Sequence, residues 1–333
     1  MTEPTPDSTS LTEQFPQPAP QPASPLRRVF VGPSGLRAGW RFLIYVVAFV
    51  ALLSLFGLAL APVAHGLKGH KASPLWTFLL SECVSFAAAV IPALLLSRFE
   101  NRPFGSYGLP TQDAFRKHFW QGLAWGMFAI SALLLVMRGL GAFYYGGLAL
   151  HGLAILKFAT FWAVLFLMVG FFEDFLFRGY TQFTLADGIG FWPAALLLSL
   201  TFGGVHLRQE LALGDAPRAW AGVLAAAFIG LFFCLTLRRT GTLWFAIGFH
   251  ASWDWGQTFF YAVPDSGTKE PGHLLNSTFQ GNPWLTGGVV GPEGSILVFV
   301  TIAAVWIVFD RFYPVKRGAT TPVESVSQPG PSV

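Results

Sequence analysis

From residue 37 to 317 the chain alternates long apolar runs with short polar connections. The runs fall at about 42–62, 75–97, 118–137, 155–177, 191–206, 219–237, 243–262 and 295–309. Their lengths approach the ~20 residues that a helix needs to cross a bilayer. The pattern predicts an all-α polytopic membrane helix bundle of about eight transmembrane helices, with the short fifth and eighth runs leaving seven or nine crossings open. On either side the pattern stops. Residues 1–36 are rich in Pro, Ser, Thr and Gln without a long apolar run, which predicts a disordered tail, and residues 318–333 read the same way. The N-terminal tail lacks the basic start, short apolar stretch and small-residue cleavage site of a signal peptide, so the first helix is expected to be retained.

Composition strengthens this picture. The chain is 53% hydrophobic and 11% charged, with a mean hydropathy of +0.54, values that suit lipid rather than water. The 34 Phe and 12 Trp need no cofactor, since Phe is favourable in hydrocarbon and Trp at the headgroup boundary. Net charge is only +4, and the Lys and Arg residues lie between apolar runs rather than on one basic face, which excludes nucleic acid as a partner. Their distribution sets an orientation instead. Arg98, Arg102, Arg116, Lys117, Arg238 and Arg239 fall on one side of an eight-span chain, and with them the cytoplasm should hold both termini. The expected location is a multi-pass integral membrane one, the cell (inner) membrane if the source is bacterial. Cys83 and Cys234 both lie inside apolar runs, against a disulfide framework or a thiolate zinc site.

Ionisable groups inside a membrane helix cost several kcal/mol unless they face a partner or a wet cavity. Five mark a site: Glu173, Asp174, His206, His250 and Asp254. Glu82 stands apart near Ser81 and Ser85, and a structural hydrogen bond between helices is the reading for it. If the fourth helix runs on through Gly179 to about Ala186 and turns at 187–190, Glu173 lies 14 residues before the turn and His206 lies 16 after Gly190. At ~1.5 Å per residue both sit roughly 20–24 Å from it. His250 and Asp254 follow the next turn, ending at Gly241, by 9 and 13 residues, or roughly 14–20 Å. Three helices therefore carry their polar groups to a similar depth.

Helical spacing separates roles. Asp174 and Arg178 are four apart and can pair, which leaves Glu173, on another face, free. Phe202 shares a face with His206, and His250 with Asp254, so Phe202 can brace one imidazole and Asp254 can orient the other. A free glutamate beside two imidazoles suits general-base activation of water, with histidine steadying an oxyanion. The same groups also suit a metal: His206, His250 and a carboxylate make a three-ligand zinc site with an open position. The sequence leaves both mechanisms, and the cofactor, open.

The segments Glu173-Asp174-Phe175-Leu176-Phe177-Arg178, Phe202-Gly203-Gly204-Val205-His206 and His250-Ala251-Ser252-Trp253-Asp254 resemble the three motifs of the CPBP family. That family comprises CAAX prenyl proteases and bacteriocin-processing proteins of the Rce1-like or abortive-infection type. Its pattern is Glu-Glu-x-x-x-Arg, Phe-x-x-x-His and His-x-x-x-Asn or Asp on successive membrane helices, and the resemblance covers about residues 155–260. It implies that Glu173 activates the hydrolytic water with help from His206, that His250 and Asp254 stabilise the tetrahedral intermediate or orient its donors, and that Arg178 supports the glutamate helix, beside the supporting places that spacing gives Asp174 and Phe202. Asp174 replaces the second Glu of the commonest form, and Asp254 stands where Asn often does. An ionised Asp cannot donate to an oxyanion, so Asp254 must be protonated, orient His250 or bind metal.

The expected function is an intramembrane endopeptidase acting on a peptide or protein substrate at the bilayer. Alternatives from other classes are a non-catalytic membrane scaffold or immunity factor and a proton-coupled transporter. The chain has no His-Glu-x-x-His, and its one Gly-x-Ser-Gly, at 32–35, lies in the polar tail, which disfavours zincin and rhomboid-like chemistry.

Overall fold

The structure is a computed structural model that describes residues 29–32, 35–69, 74–269 and 271–315. Most of the predicted N-terminal tail and all of the predicted C-terminal tail lie outside these residues. Ahead of Ala38, strand β1 (Val31–Gly32) pairs antiparallel with β2 (Gly35–Leu36), Val31 opposite Leu36.

From Ala38 onward the chain is an all-α polytopic bundle, and its described residues form no closed sheet. Its helices are α1 (Ala38–Gly69), α2 (Pro74–Phe99), α3 (Lys117–Gly139), α4 (Leu153–Arg178), α5 (Tyr180–Ile189), α6 (Phe191–Leu211), α7 (Ala216–Thr240), α8 (Trp244–Trp255), the short α9 (Pro283–Thr286) and α10 (Ile296–Phe312). A π-helical segment, Gly256–Phe260, extends α8. Local chemistry sets several of these boundaries. Pro217 sits in the first turn of α7, where its missing N–H costs nothing, and Gly241 closes that helix in the left-handed region at φ 76°. Ser295 caps α10 by accepting from the Leu297 amide at 3.1 Å.

Among the described residues five stretches are long and apolar enough to cross a membrane: Ala38–Pro62, Leu75–Phe99, Lys117–Gly139, Leu153–Ile189 and Ala216–Thr240. The other three predicted spans correspond to α6, α8 with its π extension, and α10. Helix α6 ends on the polar run His206 to Glu210, and α8 and α10 have only 12 and 17 residues.

One expectation is corrected. The fourth helix does not continue through Gly179 but stops at Arg178 and restarts at Tyr180. A Cβ at Gly179 would collide with the Phe175 carbonyl oxygen and ring, so glycine lets the chain break there at φ −85°, ψ −122°. The turn before α6 is Gly190, at φ +86°. The straight rise assumed for the depth of Glu173 therefore does not apply.

Helix α8 is the centre of the bundle. Every residue from Trp244 to Asp254 is buried except His250. Backbones approach it closely through glycine: a Cβ on Gly122 or Gly126 of α3 would strike the carbonyl oxygens of Phe245 and Phe249, and one on Gly248 would strike that of Phe119. Small residues at such crossings give membrane helices the contact that hydrophobicity cannot supply inside lipid. Gly203 of α6 lets that helix meet Val223 of α7 in the same way.

The connections sort into two ends. At one, the Leu243 amide donates to Gly108 O at 2.8 Å, and Arg41 bridges Glu100 and Asp187, both at 3.0 Å. At the other, β3 (Phe143–Leu148) pairs antiparallel with β4 (Leu275–Phe279), Phe143 opposite Phe279, joining the loops that follow α3 and the π segment.

Candidate active site

The last turns of α4 carry Glu173, Asp174 and Arg178, α6 carries Phe202 and His206, and α8 carries His250 and Asp254. A cavity of about 250 Å³ opens between these helices, and Glu173, Phe202, His206, His250 and Asp254 all line it. Asp174 and Arg178 lie behind the wall, with side chains 0% and 1% exposed, and pair at 2.6 Å.

His250 joins the two carboxylates of α4 to that of its own helix. Its Nε2 lies 3.6 Å from Glu173 Oε2 and 3.5 Å from Asp254 Oδ2, and its Nδ1 lies 3.4 Å from Asp174 Oδ2. Asp174 is therefore more than the counter-ion of Arg178, the role the spacing suggested; its second oxygen also holds the far side of the imidazole. Glu173 is the more accessible acid, its side chain 20% exposed against 0% for Asp174.

The guanidinium of Arg178 is enclosed. It donates from Nη1 to Asp174 and from Nε to Gly230 O at 3.3 Å, with Cζ 4.5 Å from the Phe202 ring centre and 5.1 Å from that of Phe233. Cation–π contact of this kind, cut off from water, is worth roughly 2 kcal/mol. Phe202 also meets the rings of His206 and His250 edge-on, at 5.1 and 6.4 Å between centroids. His206 Nδ1 is 2.8 Å from Phe202 O. A carbonyl can only accept, so Nδ1 carries the proton, and a neutral His206 keeps Nε2 as an acceptor.

Three acids lie on the cavity wall that the sequence reading did not place there: Glu82 of α2, Asp265 after the π segment, and Glu293 before α10. Glu82 Oε2 is buried and has no hydrogen-bond partner among the described residues, so this oxygen does not make the helix-to-helix bond expected of the side chain. Its one sequence signal was a carboxylate in an apolar run. Asp265 and Glu293 lie in loops, where acids are common, and carried none. Burial, and then the negative charges of Asp254 and Glu293, hold the Asp265 carboxyl well above the ordinary range.

Zinc held by His206 and His250 fits this arrangement poorly. Both nitrogens of His250 face carboxylates, and among the described residues the three ligand atoms found within 4.8 Å of one another come from Asp254, Asp265 and Glu293, with no histidine.

No curated protein and no solved structure matches the chain. Residues 155–256, which run from α4 to the end of α8 and include all three motif segments, match the family model of the Rce1-like type II CAAX prenyl endopeptidases, consistent with a protease of the CPBP/CAAX family and supporting an intramembrane endopeptidase in general.

Proposed function

We propose that the chain hydrolyses a peptide bond of a membrane-associated substrate with water activated by Glu173. The observation that carries this reading is the contact between Glu173 Oε2 and His250 Nε2 on the wall of a cavity that Glu173, alone of the α4 acid pair, can reach. Water in the cavity gives a proton to Glu173 and its oxygen attacks the scissile carbonyl. His206 Nε2, an acceptor, helps to hold the attacking water, the resulting oxyanion takes a hydrogen bond from the Nε2–H of His250, and Glu173 then returns the proton to the departing amine. A positioned base contributes about 10²–10⁴-fold and one oxyanion donor about 10²–10³-fold. Asp254 has the place to orient His250 rather than to donate, which accommodates Asp where the family often has Asn.

The charge pattern supports a cell-membrane location with both termini cytoplasmic, and the end holding Arg41, Gly108 and Leu243 on that side. The test is cleavage of a library of membrane-spanning reporter peptides by the purified full chain. Turnover that disappears in Glu173→Gln supports the reading. Intact reporters with both proteins would favour the scaffold reading, and uptake of a solute driven by a proton gradient in vesicles would favour the transporter.

A further inference from the structure

Asp254, Asp265 and Glu293 come from three separate segments, the last turn of α8, the loop beyond the π segment and the turn before α10. One carboxylate oxygen from each lies within 4.8 Å of the others. Glu293 is held in place by four donors: the Ser266 amide at 3.0 Å and hydroxyl at 2.9 Å, Gln257 Nε2 at 3.2 Å and Trp253 Nε1 at 3.4 Å. Asp265 Oδ2 takes Thr258 Oγ1 at 3.4 Å. Among the described residues no Lys or Arg lines the cavity to balance the charge, and His250 is already shared among three acids.

One further oxygen beside this cluster has no partner among the described residues. Gln257 is fully buried, its Nε2 is on Glu293, and its Oε1 accepts no hydrogen bond among the described residues. A buried acceptor without a donor is costly, and beside three acids it calls for something positive.

We infer that Asp254, Asp265 and Glu293 bind a hard divalent cation of the calcium and magnesium class, with the Gln257 oxygen beside it. The donor set is all oxygen, which selects such cations over zinc. Oxygens 2.3–2.6 Å from one Ca²⁺ lie up to about 5 Å apart, and one oxygen from each of the three acids falls inside that span. The donors around Glu293 play the part of the outer groups that orient metal-binding carboxylates. Bound there, the cation ties the loops carrying Asp265 and Glu293 to the end of α8 and fixes Asp254 beside His250. This site does not depend on the chain being a peptidase.

The test uses the full chain purified in detergent and stripped with a chelator, then titrated separately with Ca²⁺, Mg²⁺ and Zn²⁺. Bound metal is measured by equilibrium dialysis and the melting midpoint by fluorescence. The expected result is about one equivalent of Ca²⁺ or Mg²⁺ and a rise of at least about 3 °C at saturation, with affinity reduced at least tenfold in both Asp265→Asn and Glu293→Gln. Stripped Asp265→Asn should melt no lower than the stripped parent, because Asn keeps the size and polarity of the buried carboxyl, and this separates a lost site from a damaged fold. Absence of binding by the parent up to about 10 mM, above the 10⁻⁴–10⁻³ M range of weak extracellular sites, overturns the inference. So does an undiminished shift in both variants, or a preference for Zn²⁺.

Discussion

Glu173 and His250 meet across α4 and α8 at 3.6 Å, and Gly170, one turn earlier on α4, lets them do so. A Cβ at Gly170 would lie 3.3 Å from the Ile247 carbonyl oxygen and 3.7 Å from His250 Cβ. The two helices thus approach where α4 has no side chain, and the acid and the imidazole follow directly from that approach. The same device recurs in stronger form where α8 meets α3, at Gly122, Gly126 and Gly248.

Gly126→Ala should therefore be severely destabilising. Its methyl would overlap both the Phe249 carbonyl oxygen and Ser252 Oγ, forcing α3 away from α8. Overpacking costs about 1–3 kcal/mol where side chains can yield, and a backbone carbonyl yields less. The expected outcome is a melting midpoint several degrees below the parent in detergent. Gly147→Ala, where a Cβ meets nothing within 4 Å, is the control and should melt with the parent.

Glu82 offers a second contrast. Replacing it by Gln removes a carboxylate whose Oε2 has no partner, so stability should be unchanged or higher. Peptidase activity should fall by less than the loss in Glu173→Gln, because Glu82 reaches the cavity wall but makes no contact with His250. Complete loss of turnover in a stable Glu82→Gln protein would move the base from α4 to α2.

The loop ladder makes orientation measurable. Tyr145 is paired with Ser277 across β3 and β4, and facing residues on antiparallel strands lie within the Cα separation that a disulfide spans. In a background with Cys83 and Cys234 replaced by Ser, Tyr145→Cys with Ser277→Cys should crosslink under mild oxidation. A single Lys269→Cys should be labelled by an impermeant reagent from outside the cell, while tags at either terminus stay protected. Labelling of a terminal tag in intact cells would reverse the orientation without disturbing the site.

These contrasts show what the sequence made legible. Runs of apolar residues declare themselves because lipid tolerates little else, and His206, His250 and Asp254 were conspicuous for the same reason: a polar residue inside such a run has few bland explanations. The break at Gly179 was hidden because it depends on how close Phe175 comes to the backbone, a tertiary fact that no spacing encodes. Asp265 and Glu293 were hidden because acids in loops are ordinary until folding brings them beside Asp254. Hairpin-like pairing of β3 with β4 joins segments more than a hundred residues apart in the chain, beyond the reach of any local pattern.

Glu173 and Asp174, adjacent in sequence, should separate into base and brace. Glu173→Gln keeps the shape and much of the hydrogen bonding but removes the proton acceptor, so turnover should fall by about 10²–10⁴-fold in a protein that melts with the parent. Asp174→Asn acts elsewhere. It leaves Arg178 without its 2.6 Å partner in a pocket where that side chain is 1% exposed and its Nη2 already lacks a hydrogen bond, and it weakens the hold on His250 Nδ1. Breaking a buried pair costs about 3–5 kcal/mol, so yield and melting midpoint should drop before chemistry is at issue, and whatever protein survives should retain part of its activity. Melting curves and turnover measured on the same preparations decide the matter. If Asp174→Asn is as stable as the parent and inactive while Glu173→Gln still turns over, the water-activating residue is Asp174, and the accessible carboxylate on the cavity wall has another task.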